Sequence, residues 1–256
     1  MSWLEIAPTA GAAFLAALVE CVEAATIVLA VGVVRGWRSA LAGTALSLVA
    51  LAVLVAALGP ALSHLPQRNL QLFVGLLLLL FGMRWLRKAI LRGAGLIALH
   101  DEAAAFEGAA ARLSLAGATH RYGLDALATL TAFKAVLLEG VEVVFIVLAV
   151  SAGGPGLLGV AVAAALAAAV LVAAAGVALH RPLARVPENT LKLVVGVLLS
   201  GFGTFWVGEG AGFAWPGPAA ANPDLAIPCL MAAYLAIALC MVPACRSRAR
   251  AAAVEG

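Results

Sequence analysis

Residues 12–31 read AAFLAALVECVEAATIVLAV, and residues 131–150 read TAFKAVLLEGVEVVFIVLAV. The second stretch repeats the first at an offset of 119 residues. Ala13-Phe14 matches Ala132-Phe133, Glu20 matches Glu139, and Glu23 matches Glu142. The run Ile27-Val28-Leu29-Ala30-Val31 matches Ile146-Val147-Leu148-Ala149-Val150 letter for letter. Apolar helices match often by chance, but paired acidic residues at fixed positions inside them do not. This repeat predicts both the architecture and the place where its chemistry lies.

Outside this pair, a second match has an offset of 121 residues. Pro66, Leu70, Leu72, Val74, Gly75, Phe81, Gly82 and Trp85 align with Pro187, Leu191, Leu193, Val195, Gly196, Phe202, Gly203 and Trp206. The chain therefore reads as an internal duplication. Seven apolar stretches run approximately over 9–34, 39–63, 70–90, 126–151, 156–180, 190–209 and 225–244. Three of them fall in each copy, and an odd number makes the second copy enter the membrane in the opposite direction. The expected fold is all-α: a polytopic membrane protein of about seven helices, with two inverted three-helix repeats and one extra C-terminal helix. The expected division is 1–90 for the first repeat, 91–125 for a cytoplasmic loop, 126–212 for the second repeat, and 213–256 for the seventh helix and a basic tail.

Composition points the same way. Of the 256 residues, 64% are apolar and 11% charged, and the mean hydropathy is +1.09. An average soluble domain is about 25% charged. A soluble domain, a disordered chain and a nucleic-acid binder are thereby excluded. The lipid bilayer is the expected surrounding, and each span needs roughly 20 apolar residues. Met1–Glu5 lacks the basic opening of a cleavable signal peptide, so the first stretch reads as a retained span. The four cysteines form no CxxC pair and no zinc spacing. His64, His100, His120 and His180 fall near span ends or in loops.

Placing Lys and Arg on the loops sets the orientation. With the N-terminus outside, 13 basic residues lie on the inner side and only Arg68 on the outer. Lys134 and Lys192 fall within or at the start of spans. The sequence predicts N-out, C-in insertion, in the inner membrane of a bacterial cell.

Four intramembrane glutamates carry the chemistry. Each acidic residue at a helix centre costs about 2.5–3.5 kcal/mol on insertion scales, so such residues normally face a bundle interior or a wet cavity. A spacing of three puts each pair on one helix face. Inverted repeats packed about a pseudo-two-fold axis bring Glu20, Glu23, Glu139 and Glu142 to one point near the midplane. Carboxylate oxygens suit hard cations such as Ca²⁺, Mg²⁺ and Mn²⁺, and iron as well. Carboxylates crowded together resist ionising all at once. A site that keeps protons in the absence of metal can exchange them for metal.

Thr26, Gln71, Lys134 and Lys192 are accessory candidates. Thr26 lies about one turn after Glu23, Gln71 and Lys192 occupy equivalent positions, and Lys134 stands five residues before Glu139. For Gln71 and Lys192 helix packing or capping is the simpler role. For Lys134, pairing with a site carboxylate and reaching to the interface are both open. The chain holds no nucleophile–base pair, no phosphate loop and no HExxH motif, so an enzyme is not expected. No cofactor is expected beyond the transported metal and protons, and a homo-oligomer is compatible with the sequence.

The duplicated acidic helix and three-plus-three layout resemble the lysine-exporter superfamily of transporters. One similar family is the Ca²⁺/Mn²⁺–proton exchangers, whose copies carry Glu-x-Gly-Asp-(Lys/Arg)-(Ser/Thr). Here Glu23 and Glu142 stand at its Asp, and Val22 and Val141 at its Gly. The other is the EfeU-type iron permeases, with Arg-Glu-Gly-x-Glu in each copy. Glu139-Gly140-Val141-Glu142 follows that pattern, while Val19 and Leu138 stand at its Arg. The resemblance implies cation transport, with the four glutamates as metal ligands. The expected function is exchange of a divalent metal, Mn²⁺ or Ca²⁺, for protons. The alternatives are iron uptake, export of an organic solute, and a membrane scaffold that transports nothing.

Overall fold

The computed structural model describes residues 3–63, 66–99, 101–117, 120–121, 123–151, 156–179, 188–220 and 222–255. His64, His100, His180, Arg181, Arg185 and Pro187 lie outside the described residues.

Eight α-helices are found among the described residues. They are α1 (Trp3–Arg35), α2 (Trp37–Ser63), α3 (Gln67–Gly93), α4 (Glu102–Leu115), α5 (Ala126–Ser151), α6 (Leu157–Leu179), α7 (Glu188–Ala211) and α8 (Ala226–Glu255). A two-residue antiparallel bridge pairs His120–Arg121 with Leu124–Asp125 just before α5. The structure is all-α in class. Six helices, α1, α2, α3, α6, α7 and α8, are long and apolar enough to cross a membrane. α5 matches them in length but carries Lys134, Glu139 and Glu142 in its middle.

The outward faces of α2 and α6 are apolar. Leu48, Val49 and Val53 of α2, and Leu166, Val170 and Val177 of α6, are each more than half exposed. A helix that is apolar all round needs an apolar surrounding, which lipid supplies.

The chain forms two compact units, and each takes helices from both sequence repeats. The first holds α1, α2, α4, α6 and nearly all of α5. Gly36, at φ +98°, is the single residue between α1 and α2, a backbone conformation that glycine adopts at little cost. Val31, Ala40, Leu113, Ala128 and Ala132 form a buried core from α1, α2, α4 and α5. Small residues let the backbones approach where lipid gives no hydrophobic drive between helices. Gly43 of α2 lies directly on the Thr129 carbonyl, the Ala132 methyl and the Phe133 amide of α5, and Leu51 of α2 fills the space over Gly140.

The second unit holds α3, α7 and α8. Glycines at intervals of seven, Gly75 and Gly82 on α3 and Gly196, Gly203 and Gly210 on α7, form its seam. Gly75 meets the Gly203 carbonyl, and Gly82 meets the Gly196 carbonyl. A methyl group on Gly203 would stand 2.8 Å from the Gly75 carbonyl and 2.9 Å from the Leu79 Cα. Neither backbone atom can swing aside. Gly203→Ala is expected to destabilise the unit by about 1–3 kcal/mol, read as a lower unfolding midpoint in detergent. An unchanged midpoint would contradict the close seam.

Candidate metal centre

α1 and α5 position the acidic pairs. Both are straight runs of Ala, Leu, Val and Ile with no proline near the glutamates. Three of the four glutamates come together. One carboxylate oxygen each from Glu20, Glu23 and Glu139 lies within 4.8 Å of the other two. Glu20 is 1% exposed, and Glu23 and Glu139 are half-buried. Glu142 is also buried, but it stands outside this group of three, one turn further along α5. All four side chains belong to the first unit.

This spacing has a chemical meaning. Oxygens bound to one Ca²⁺ lie about 2.3–2.6 Å from it, which leaves them roughly 3–5 Å from each other. The three glutamate oxygens, all within 4.8 Å of one another, lie close enough for one such ion. Three ionised carboxylates overbalance a divalent ion by one charge.

The accessory candidates separate in the structure. Thr26 is fully buried, and its hydroxyl donates to the Val22 carbonyl at 3.0 Å. Its proton is thus committed to its own helix. Lys134 is exposed on α5, which agrees with a side chain that reaches outward. Lys134→Gln is expected to leave metal affinity within about twofold, as exposed substitutions usually cost under 0.5 kcal/mol. A tenfold loss in a binding titration would show instead that its charge acts on the site.

Gln71 and Lys192 belong to the second unit. Gln71 is half-buried on α3. Lys192 is 2% exposed and lies 3.2 Å from Glu188, one turn earlier on α7. Arg92 of α3 approaches the same Glu188 oxygen at 2.7 Å, and the Lys192 ammonium stands 5.6 Å from the centre of the Trp85 ring. Lys192 is therefore part of a buried ion network between α3 and α7. Glu209, at the other end of α7, accepts a 2.7 Å hydrogen bond from the Trp215 indole.

Sequence reasoning missed one ion pair that ties the helices carrying the site. Arg35, the last residue of α1, pairs with Asp125 at 2.8 Å. Arg35 Nε also donates to the Leu113 carbonyl at 2.9 Å, and Nη2 donates to the Leu113 and Ala116 carbonyls. Asp125 caps α5, accepting from the Leu127 amide at 3.0 Å and the Ala128 amide at 3.2 Å. Its own amide donates to the Ser39 hydroxyl at 3.0 Å. One ion pair thus joins the end of α1, the end of α4 and the start of α5. The two helices that carry the glutamates are tied at the same end. An Asp directly before a long apolar helix was the available signal.

Comparison with models of known families, with curated proteins and with solved structures finds no match.

Proposed function

We propose that the protein is a cation transporter that exchanges a divalent metal, Mn²⁺ or Ca²⁺, for protons at the glutamate site. The carrying observation is the convergence of Glu20, Glu23 and Glu139 from two long apolar helices. Intramembrane carboxylates are costly unless paired or used. A hard cation offsets their repulsion, and protons do so when it leaves. Glu142, one turn away, is placed to receive the ion or a proton as either moves on.

In this reading α5 is the seventh span. Its 26 residues reach about 39 Å at 1.5 Å per residue, more than the roughly 30 Å of a bilayer core. The N-terminus is outside, and the C-terminus lies on the cytoplasmic side of a bacterial inner membrane. The glycine seam supports inverted repeats. Gly75 corresponds in sequence to Gly196, and Gly82 to Gly203. Gly75 packs on Gly203 while Gly82 packs on Gly196. Such a reciprocal pattern is what a two-fold relation produces. Movement between repeats would then alternate access to the site.

The test uses purified protein in liposomes with an internal pH dye and a metal-sensitive dye. Mn²⁺, Ca²⁺, Fe²⁺ and Mg²⁺ are added in turn. Metal entry with opposite proton movement, lost in Glu20→Gln and Glu139→Gln, is the expected result. Iron entry without protons would favour the permease alternative, and no flux of any cation would overturn the proposal.

A further inference from the structure

In the second unit the linker between α7 and α8 folds back on itself. Gly212, at φ +78°, turns the chain at the end of α7, and the Phe213 amide donates to the Gly208 carbonyl at 2.8 Å. Trp215 then lies over Gly208, where a methyl group would stand 2.6 Å from the indole ring. The indole donates to Glu209 at 2.7 Å, stacks on Phe205 at 5.5 Å, and meets Phe213 edge to face at 5.0 Å. Contacts on several sides hold Trp215 in place.

This fixed aromatic wall borders a cavity of about 360 Å³. Phe213, Trp215 and Leu225 line it from the linker, and Ala226, Cys229 and Leu230 from the first turns of α8. The lining is almost wholly apolar, so water finds few partners there. An apolar cavity of about 150 Å³ already takes up benzene. The larger volume here suits a longer apolar chain.

The surroundings choose the occupant. Ala226 and Leu230 share a helix face with Ala233 and Ile237, both of which are exposed. The cavity thus continues into an apolar strip along α8, a helix long and apolar enough to cross a membrane. Beside the cavity stand charges of both signs. Glu209 touches Trp215, and Arg68, exposed at the start of α3, donates to the carbonyl of the next residue, Gly210, at 2.8 Å. Opposite charges next to an apolar strip match a head group that carries both a phosphate and an ammonium.

We propose that this cavity binds one zwitterionic phospholipid. One acyl chain fills the cavity and runs on past Ala233 and Ile237. The phosphate lies toward Arg68 and the ammonium toward Glu209. The site is separate from the four glutamates, and the proposal does not depend on metal exchange.

The test uses the intact protein in mild detergent, stripped of lipid. Phosphatidylethanolamine, phosphatidylglycerol and oleic acid are offered in equal amounts, and native mass spectrometry reads what is retained. One phosphatidylethanolamine per chain is the expected result. Ala226→Phe fills the cavity and is expected to lower that occupancy at least about tenfold. Leu239→Phe, on another side of α8 where Leu239 is 60% exposed, is expected to leave it unchanged. Preferred retention of phosphatidylglycerol or oleic acid would overturn the proposal, since neither carries the ammonium. Full occupancy in Ala226→Phe would also overturn it, by placing the lipid elsewhere.

A second measurement needs no altered chain. Cys229 lines the cavity, and Cys245 lies about 24 Å further along α8. Modification of each thiol by N-ethylmaleimide is followed by peptide mass. Phosphatidylethanolamine at ten times its dissociation constant is expected to slow modification of Cys229 about tenfold, as the empty fraction falls. Cys245 is expected to react as before. A Cys229 rate unchanged by the lipid would overturn the proposal.

Discussion

Replacing Glu20 or Glu139 by Gln is expected to weaken Mn²⁺ binding about a hundredfold or more. Gln keeps the size and shape of Glu, so the helix packing around α1 and α5 should survive. What goes is one of the three carboxylate oxygens that lie within 4.8 Å of one another. Loss of groups that merely orient a metal ligand costs 10–100-fold, and loss of a ligand should cost at least as much. Glu142→Gln should cost less, about tenfold or below on the same scale, because Glu142 stands outside the group of three. On the proposed exchange, protons and metal compete for the same oxygens, so wild-type affinity should rise with pH. That rise should flatten in both Gln variants. Calorimetric titration of detergent-purified protein at several pH values checks each point. Equal losses at Glu20, Glu139 and Glu142 would mean that Glu142 also ligates the ion.

The second large effect is expected at Asp125. Asp125→Ala removes the partner of a largely buried Arg35 and the cap of α5 together. Breaking a buried ion pair from one side costs about 3–5 kcal/mol, because the remaining charge is stranded. Loss of an N-cap adds about 0.5–2 kcal/mol. Arg35→Ala should be severe too, since the carbonyls of Leu113 and Ala116 lose their donor. The double variant should cost less than the sum, as expected for residues in direct contact. Thermal unfolding in detergent reads all three. Metal affinity should fall in Asp125→Ala although no ligand is touched, because α1 and α5 lose their common anchor. Full affinity in a folded Asp125→Ala protein would show that this anchor does not position the site.

The long apolar helices were legible because the membrane restricts what a spanning segment can be. The apolar stretch 126–151 coincides with α5, and 156–180 covers α6. α8 shows the limit of that reading. Its apolar part was expected to stop near residue 244, yet the helix continues to Glu255. Residues 246–255 are rich in Ala and Arg, which favour helix without favouring lipid. Hydropathy finds spans, not helices.

The glutamates were legible because charge inside a span is expensive and theirs recurs in both copies. The grouping of only three was not, because it depends on how α1 and α5 lie against each other. The Arg35–Asp125 pair was hidden by distance, its members 90 positions apart. The Lys192–Glu188 pair was within reach of sequence reasoning, since residues four apart on a helix are neighbours.

The most direct measurement counts protons released when Mn²⁺ binds to the wild-type protein. Titration calorimetry in two buffers of different ionisation enthalpy gives that number. The glutamate-exchange account predicts saturable binding with net proton release, and loss of both in Glu20→Gln. Binding without proton release, or no binding of any divalent cation, would contradict it.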